Sequence, residues 1–380
     1  AVSVGEVNLL RTVIPEVQRE FPGWSVVVST TTKTGHDLAR RQHADLLTFY
    51  CPLDFSWAVR RAMRRIRPTA LVLTELELWP NLIHAAKKHD AKVLLINGRM
   101  SERSFHGYRR MTWFVRRLLR QLDVIAVQDE QYHSRFLALG ADPHKTRVTG
   151  SLKFDGTESE RSNPNTYRLS RLWQVNDCDR VLLAGSTQAP EERLALEAFD
   201  LLRLDHPEAR LILVPRHPER FDEVARLLES RGDDWCRRSE LVDAHPRRTN
   251  VLLVDTIGEL RWWWGVATAG FVGGSMGSRG GQNMIEPAAF GVAVSFGPHT
   301  QNFRDVVQML LAAQAAKVVA DGDALRAFWT ECLARPDYVA EIGHRGQQVV
   351  REQQGATQRT LDWMADVMRG RRSTETSEAA

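Results

Sequence analysis

The chain has 380 residues, 43% of them hydrophobic and 26% charged, which indicates a globular protein long enough for two domains. Its four scattered cysteines and the absence of an apolar run of roughly 18–20 residues argue against a disulfide framework, a zinc site and a membrane span. The net charge is +4, but residues 1–150 carry 23 Lys and Arg against 14 Asp and Glu, which indicates an anionic partner (phosphates, a nucleic acid or an acidic membrane surface) or simply a solvated basic face.

The first half of the sequence alternates predicted strands and helices. AVSVGE is predicted as a strand, and the helix after it has one apolar face, because Val7, Leu10, Ile14 and Val17 recur at steps of three and four. TALVLTE and AKVLLIN are continuous apolar runs, typical of parallel strands buried on both faces. The other predicted elements are the strands WSVVVSTTT and VIAVQD and the helices GHDLARRQH and FSWAVRRAMRRIR.

A second alternating series follows a polar stretch, residues 156–177, that is predicted to be a linker. Its strands are RVLLAGS, ARLILVP, NVLLVD, GVATAGFVGG and VAVSFG, with helices between them. Two such series predict an α/β protein with two Rossmann-like, doubly wound domains facing a central cleft, in which ligands bind beyond the carboxyl ends of the strands. The predicted domains are residues 1–155 and 178–355, followed over 356–380 by a C-terminal helix and a disordered tail.

A glycine-rich loop follows the strand that ends at Val272. Five glycines occur within nine residues, and NMIEPAAFG after them is predicted as a short helix. Glycine lets backbone N–H groups approach a ligand closely, and the free amides at a helix start favour phosphate. Glu286, in the first turns of that helix, is placed to accept hydrogen bonds from sugar hydroxyls. The alternative is an ordinary strand–loop–helix whose glycines only make turns.

Carboxylates at two strand ends are candidates for acid–base chemistry. Glu6 lies at a helix start, where it either complements the helix dipole or acts as a general base aimed into the cleft. Glu75 and Glu77 follow the strand TALVLTE and are expected on one face because strand side chains alternate. The alternative for each of these two is an ion pair with one of the many arginines.

Cations and hydroxyls at the other strand ends are candidates for phosphate or carboxylate recognition. In the first half these are Arg99, Ser101, Arg103, Ser104 and, near the domain junction, Lys153. In the second half they are Ser186, Thr187, Arg216 and His217.

Several long motifs resemble the 3-deoxy-D-manno-octulosonic acid (Kdo) transferases of lipopolysaccharide synthesis. They are AVSVGE, TELELWPN, NGRMSERS followed by GY, VTGSLKFD, VPRHPERF and FVGGS…GGQNMIEPAAFGVAVSFGPHTQNF, in one order from residue 1 to about residue 310. The resemblance implies the GT-B glycosyltransferase fold. It also implies transfer of Kdo from CMP-Kdo to a lipid A precursor, with inversion and without a metal or another cofactor.

The resemblance also implies roles for single residues. The family's catalytic glutamate corresponds to Glu6, and the acidic position of its ELWP motif to Glu77. Its CMP-contacting motifs correspond to Arg216, His217, Gly274, Ser275, Asn283 and Glu286, and the predicted nucleotide site includes Gly273 and Arg279 beside them.

The implied partners are CMP-Kdo, a lipid A precursor and an anionic membrane surface, and no nucleic acid. The implied location is the cytoplasmic face of the inner membrane. The protein is expected to be peripheral there, or anchored by an N-terminal segment, because family members usually begin with an anchor that this sequence lacks. Ser278 and Gln282 stand where the family usually has proline and histidine, which affects the details of nucleotide contact.

Three other functions are compatible with the residues. One is a GT-B transferase that uses a UDP- or GDP-sugar as donor. A screen that compares binding of CMP, UDP and GDP would distinguish it from an enzyme that uses CMP-Kdo. A nucleotide-sugar epimerase on the same scaffold would act without an acceptor. A catalytically silent sugar-nucleotide-binding protein would bind CMP without turnover.

Overall fold

A computed structural model describes residues 4–243 and 245–370 of the protein. The chain forms two compact units. Unit 1 contains residues 1–156 and 353–380, and unit 2 contains residues 157–352. Within the described ranges, no helix is long and apolar enough to cross a membrane.

Helices and strands alternate along most of the chain. The helices are α1 (Val4–Glu20), α2 (Lys33–Gln42), α3 (Ser56–Ile66), α4 (Pro80–Lys88), α5 (Glu102–Arg109), α6 (Thr112–Leu119), α7 (Glu130–Ala138), α8 (Pro164–Leu172), α9 (Glu191–Arg203), α10 (Phe221–Arg231), α11 (Leu260–Trp263), α12 (Ile285–Ala289), α13 (Arg304–Ala312), α14 (Gly322–Ala334), α15 (Pro336–Gln353) and α16 (Ala356–Met368). The strands are β1 (Val27–Thr30), β2 (Leu47–Tyr50), β3 (Ala70–Thr74), β4 (Lys92–Gly98), β5 (Val124–Val127), β6 (Thr146–Val148), β7 (Arg180–Thr187), β8 (Ala209–Pro215), β9 (Trp235–Arg237), β10 (Val251–Leu253), β11 (Ala269–Val272), β12 (Ala293–Phe296) and β13 (Ala316–Val318).

Unit 1 contains two parallel sheets. The larger has the order β3-β4-β5-β6, and β1 pairs with β2 in the smaller. Residues of α3, α4, α6 and α7 pack with one face of the larger sheet, among them Val59, Ile83 and Phe136. Residues of α1 and α16 pack with the other face, among them Val13 and Leu361. Burial on both faces explains why β4 is a continuous apolar run.

The last helix, α16, belongs to unit 1 because its start and its apolar face are both held there. The carboxylate of Asp155 accepts hydrogen bonds from the backbone N–H groups of Gly355 and Thr357, at 2.7 and 2.5 Å. The Arg359 side chain donates to the carbonyl oxygen of Thr149 at 2.9 Å. The predicted disordered tail, from residue 371 onward, lies outside the described residues.

Unit 2 contains one seven-stranded parallel sheet in the order β13-β12-β11-β7-β8-β10-β9. All residues of β8, β10, β11 and β12 are buried, as expected for strands covered on both faces. The α/β class with parallel sheets that the sequence predicts is therefore confirmed.

The predicted linker, residues 156–177, is wrong, because most of it belongs to unit 2. It contains α8, whose residues Leu169 and Leu172 are buried. The Asn163-Pro164 pair, which predicts a linker, instead marks the start of α8. The Asn163 side chain accepts a hydrogen bond from the Thr166 N–H at 2.9 Å, and proline follows at the first helical position, as it often does in helices.

The predicted strand AVSVGE is wrong where the structure describes it. Residues 1–3 lie outside the described part, and Val4 to Glu6 form the first turn of α1. The buried residues Val7, Val13 and Ile14 continue the helical period from there, and a carboxylate in the first turn complements the helix dipole. The prediction that Glu6 lies at a helix start is confirmed.

Candidate functional site

The strand order of unit 2 reverses between β7 and β11. From β7 the chain runs outward through β8 on one side, and it later returns to build β11, β12 and β13 on the other. Ligands of open parallel sheets bind outside the carboxyl ends of the strands at such a point. Ser186 and Thr187 end β7, and the glycine loop of residues 273–281 follows β11, so two predicted segments meet at this edge.

Glu191, at the first position of α9, binds the backbone of the glycine loop. Its carboxylate accepts hydrogen bonds from the backbone N–H groups of Gly274, Ser275 and Met276, at 2.7, 2.9 and 2.9 Å. It also accepts one from the Gln188 N–H at 2.9 Å. The Glu191 residue is only 2% exposed, so this carboxylate is an internal hydrogen-bond acceptor for the amides of the loop.

The expectation that the glycine-loop amides bind phosphate is therefore wrong for Gly274 and Ser275. A second anion would compete with Glu191 for the same N–H groups. The predicted helix start contributes no site either, because α12 is a single turn and the N–H of Ile285 is bonded to the side chain of Asn283 at 3.1 Å. Sequence reasoning missed Glu191, whose one visible signal is an acidic residue at a helix start just after a strand end.

Gly273 and Ser275 shape the loop from within. Ser275 is fully buried, and its hydroxyl donates to the Val272 carbonyl at 2.6 Å and accepts from the Gly297 N–H at 2.8 Å. A Cβ atom on Gly273 would lie 2.6 Å from the Cα of Thr187. Both hydrogen bonds of the Ser275 hydroxyl are thus internal, and the assignment of Ser275 to the nucleotide site stays a prediction.

Polar residues after β12 form hydrogen bonds with the outer part of the loop. Asn302 donates from its side chain to the Arg279 carbonyl at 2.8 Å and from its backbone to the Gly280 carbonyl at 2.9 Å. Gln301 donates to the Ser278 carbonyl at 3.1 Å. Gly280 has φ +90° and leaves no room for a Cβ beside Asn302, so this glycine is required by the close approach.

Exposed cations remain at this edge of unit 2. The side chains of Arg216, after β8, and Arg279, in the loop, are exposed, and within residues 4–243 and 245–370 neither forms an ion pair. His217 is also exposed, with its Nδ1 3.9 Å from a carboxylate oxygen of Glu219. These three side chains are therefore exposed basic groups at the same edge as the loop.

Asn283 and Glu286 form a half-buried polar pair beside the loop. The Asn283 side-chain amide donates to a Glu286 carboxylate oxygen at 3.1 Å. The hydrogen bond orients the carboxylate, a group whose oxygens are acceptors of the kind suited to sugar hydroxyls. Gln282, where the family usually has histidine, is half-buried next to Gly274.

Three consecutive tryptophans, Trp262, Trp263 and Trp264, lie at the end of α11, and the ring of Trp264 packs against β7 and β11. Trp263 and Trp264 are 0% and 1% exposed. A Cβ atom on Gly185 of β7 or on Gly270 of β11 would lie 2.5 Å from the Trp264 ring. The ring therefore requires glycine in both strands, and Trp263 and Trp264 serve core packing.

In unit 1, Glu6 and Glu77 lie near the carboxyl end of β3. The Thr74 hydroxyl donates to a Glu6 carboxylate oxygen at 2.5 Å, and Glu6 is 5% exposed. The Trp79 indole N–H donates to Glu77 at 2.6 Å. Burial raises the pKa of Glu77, and the Glu6 charge raises it further against the opposing effect of the Trp79 bond. Burial and the Glu77 charge also raise the pKa of Tyr108.

Among the other predicted residues of unit 1, Glu75, Arg99 and Ser101 have internal partners. Arg99 donates to Glu75 from Nε at 2.8 Å and approaches it with a second nitrogen at 2.7 Å. Glu75 has φ +57°, outside the strand, so the expected shared face of Glu75 and Glu77 is wrong. Ser101 caps α5 by accepting from the Ser104 N–H at 3.1 Å. Lys153 is half-buried in a short 3-10 turn.

No group of three or more His, Cys, Asp or Glu side chains in the described ranges is arranged to hold a metal ion.

The chain is similar to proteins of known activity. A family model described as 3-deoxy-D-manno-octulosonic-acid transferase (kdotransferase) matches residues 1–156. The 3-deoxy-D-manno-octulosonic acid transferase of Haemophilus influenzae is 34% identical over 95% of this chain and 84% of its own length. That of Bordetella pertussis is 32% identical over 96% of this chain and 86% of its own length.

The fold also has solved counterparts. The crystal structure of UDP-GlcNAc 2-epimerase from Neisseria meningitidis bound to UDP-GlcNAc matches with a TM-score of 0.64 and 13% identity, over 96% of this chain and 97% of that one. At this identity the likeness shows the fold alone, a GT-B fold with two Rossmann-like domains, as predicted.

Proposed function

This chain belongs to the 3-deoxy-D-manno-octulosonic acid (Kdo) transferase family, and from that premise we propose that it transfers Kdo from CMP-Kdo to a lipid A precursor, with inversion and with Glu6 as the general base. Unit 2 supplies the donor site and unit 1 the base and the acceptor surface. The observation that carries the proposal is the buried Glu6 carboxylate, held by the Thr74 hydroxyl at a strand end of unit 1.

The first requirement of the reaction is removal of a proton from the acceptor hydroxyl. Glu6 takes that proton as the hydroxyl oxygen forms its bond to the anomeric carbon of Kdo, in the manner of the base of an inverting glycosidase. Glu77, whose pKa is raised by burial, lies in the same part of unit 1 and is the next candidate for the base.

The second requirement is stabilisation of the leaving group. The bond between the anomeric carbon and the phosphate oxygen breaks, and CMP departs with the electron pair while the sugar develops oxocarbenium character. The guanidinium groups of Arg216 and Arg279 are free of carboxylate partners in the described part of the chain, and His217 is exposed beside Arg216. We assign to them the preorganised positive charge that such a leaving group needs.

The third requirement is recognition of the nucleotide sugar and the acceptor. We assign Glu286, oriented by Asn283, to the ribose hydroxyls, with Ser186, Thr187 and the backbone of Gly273 and Gly274 shaping the same edge. On unit 1 we assign Arg99, Ser101 and Lys153 to the acceptor side.

We further propose that the reaction needs no metal ion or other cofactor. CMP leaves as a monophosphate, so there is no pyrophosphate charge for a divalent cation to bridge. The cationic side chains of unit 2 carry that task instead.

We place the enzyme on the cytoplasmic face of the inner membrane, with an anionic membrane surface as a partner. The support is the basic face of unit 1. Five exposed arginines on and after α3 contribute to it: Arg60, Arg61, Arg64, Arg65 and Arg67.

An assay of CMP release from CMP-Kdo, run in EDTA with and without tetraacylated lipid A precursor, tests the function. We expect release of CMP that depends on the acceptor, with Kdo appearing on the lipid. Loss of activity in EDTA that added magnesium restores would contradict metal independence. Turnover of a UDP- or GDP-sugar in place of CMP-Kdo, or turnover without an acceptor, would contradict the proposed reaction.

A further inference from the structure

Helices α3 and α4 of unit 1 line an open surface pocket of about 280 Å³ that the proposed reaction does not use. Its lining residues are Trp57, Arg60, Arg64, Ala85, Lys88 and His89. The two helices are tied together at their starts, because the Asp54 carboxylate accepts from the backbone N–H groups of Asn81 and Leu82, at 3.0 and 2.8 Å. The two helices that carry the pocket are therefore joined by hydrogen bonds at their starts.

The charge of this pocket is uncompensated. Across residues 4–243 and 245–370, none of its four basic side chains lies within ion-pair distance of a carboxylate. Lys87, one residue before Lys88 on the same helix, does pair with Asp123, at 2.8 Å. Like charges held close together repel one another, so an arrangement of this kind favours an anion between them.

Exposed apolar side chains adjoin the basic pocket. Leu53, Phe55 and Trp57, just before and within the first turn of α3, are 71%, 56% and 66% exposed. The rings of Phe55 and Trp57 are stacked, with centroids 6.4 Å apart and planes at 4°. A free phosphate has no apolar part that could contact these side chains, whereas a lipid has apolar chains next to its headgroup.

We propose that this α3–α4 pocket binds the phosphate monoester headgroup of a lipid, with Arg60, Arg64, Lys88 and His89 around the phosphate and Leu53, Phe55 and Trp57 against the apolar part. A monoester carries a charge of about −1.5 to −2 at neutral pH and matches several cations better than a singly charged diester does. Arginine forms bidentate bonds with such oxygens. The volume lies near the lower bound of small-molecule sites, about 300 Å³, which suits a headgroup and not a whole lipid.

Helix electrostatics explain only part of this arrangement. Lys88 lies in the last turn of α4 and Arg64 in the last turn of α3, where cations complement the helix dipole. Arg60 is one turn earlier in α3, and its Nε donates to the Ser56 carbonyl at 3.0 Å. The convergence of Arg60 with the other three on one pocket therefore needs a different cause.

The chain provides a matched control on the same helix. Arg61 and Arg65 are as exposed as Arg60 and Arg64 but do not line the pocket. The variants Arg60→Ala/Arg64→Ala and Arg61→Ala/Arg65→Ala remove the same charge. A diffuse basic face predicts the same effect from both, and a pocket predicts an effect from the first alone.

Sedimentation with lipid vesicles tests the proposal. Phosphatidylcholine vesicles contain either phosphatidic acid, a monoester, or phosphatidylglycerol, a diester, at matched surface charge. We expect the parent protein to bind the phosphatidic acid vesicles about tenfold more tightly. Arg60→Ala/Arg64→Ala should lose this preference, and Arg61→Ala/Arg65→Ala should keep it while binding both vesicles somewhat more weakly. Unchanged melting temperatures establish that both variants are folded.

The inference rests on the proposed membrane docking, and the two fail differently. Equal binding of the parent to neutral and anionic vesicles would overturn docking itself. Binding to anionic vesicles without a preference for the monoester, or the same loss of preference in both double variants, would overturn the pocket alone. Displacement from the vesicles by inorganic phosphate equal in concentration to the accessible headgroups would assign the pocket to free phosphate and overturn the lipid assignment.

Discussion

Glu6 is the residue on which the proposed chemistry depends. Glu6→Gln keeps the size of the side chain and an oxygen that can accept from the Thr74 hydroxyl, but it cannot take a proton. We expect CMP-Kdo binding and melting temperature to stay near the parent values while transfer slows by about 10²–10⁴-fold, the usual contribution of a positioned base. Turnover and thermal unfolding of the same variant are the measurements.

The opposite pattern has a definite meaning. A glutamate that only complements the dipole of α1 would change stability by a few tenths of a kcal/mol and leave the rate alone. Transfer within a few-fold of the parent rate would therefore remove Glu6 from the chemistry, and Glu77→Gln would be the next variant to assay.

Glu77 makes a prediction about pH and stability. Burial, with the charge of Glu6, raises its pKa in the folded protein, so the folded state favours the protonated form. The contribution of protonated Glu77 to the unfolding free energy is complete below the unfolded-state pKa of this residue. It is lost as the pH rises through the raised folded-state pKa. We expect Glu77→Gln to match the parent in unfolding free energy at acidic pH and to exceed it at neutral pH. A difference in unfolding free energy between parent and variant that stays constant with pH would contradict a raised pKa of Glu77.

Glu286 makes a prediction about nucleotide affinity. Glu286→Ala removes the acceptor assigned to the ribose hydroxyls, and a lost hydrogen bond to a charged group costs roughly 1.5–3 kcal/mol. Calorimetric titration with CMP measures this loss. Unchanged affinity would remove Glu286 from the site, and Glu286→Gln, which keeps an oxygen acceptor, should fall between the parent and the alanine variant.

At the scale of elements, α9 and the glycine loop form one structural unit through Glu191. Glu191→Ala leaves buried N–H groups of Gly274, Ser275 and Met276 without a partner, and each such group costs about 1–3 kcal/mol. We expect a loss of at least about 3 kcal/mol in unfolding free energy, together with weaker CMP binding. Denaturant unfolding and calorimetry measure the two effects.

The same helix supplies the control for that experiment. Glu197 is exposed, and its carboxylate lies 3.9 Å from Arg193, so Glu197→Ala should change stability by no more than about 1 kcal/mol. Equal effects of the two substitutions would show that the Glu191 bonds to the loop contribute little.

At the scale of the whole molecule, the charge is concentrated in the first half of the chain. Residues 1–150 hold 23 Lys and Arg against 14 Asp and Glu, and each basic residue near an anionic bilayer contributes about 1 kcal/mol of attraction. We expect sedimentation with anionic vesicles that weakens as salt is added, because salt screens exposed charges, and little sedimentation with neutral ones. Equal binding to both kinds of vesicle, or binding insensitive to salt, would contradict an electrostatic attachment.

The α/β class, most of the parallel strands and the family can be recognised in the amino-acid sequence alone. Continuous apolar runs such as β4 and β8 are visible because burial on both faces of a sheet leaves no polar alternation. The glycine loop and the strand-end carboxylates are visible because their residue types are local requirements. The Asn163-Pro164 pair shows the limit of local signals, since the same residues mark a linker and a helix start.

Which groups come into contact depends on the folded chain and could not be predicted from the sequence. Glu191 lies more than eighty residues before the loop whose amides it binds, Thr74 lies 68 residues from Glu6, and the α3–α4 pocket combines side chains from two helices. Glycine content indicates free amides, but whether a ligand or an internal carboxylate satisfies them depends on what the fold brings near. The physical reason is that hydrogen bonds and charges act over a few ångströms in space, without regard to separation along the chain.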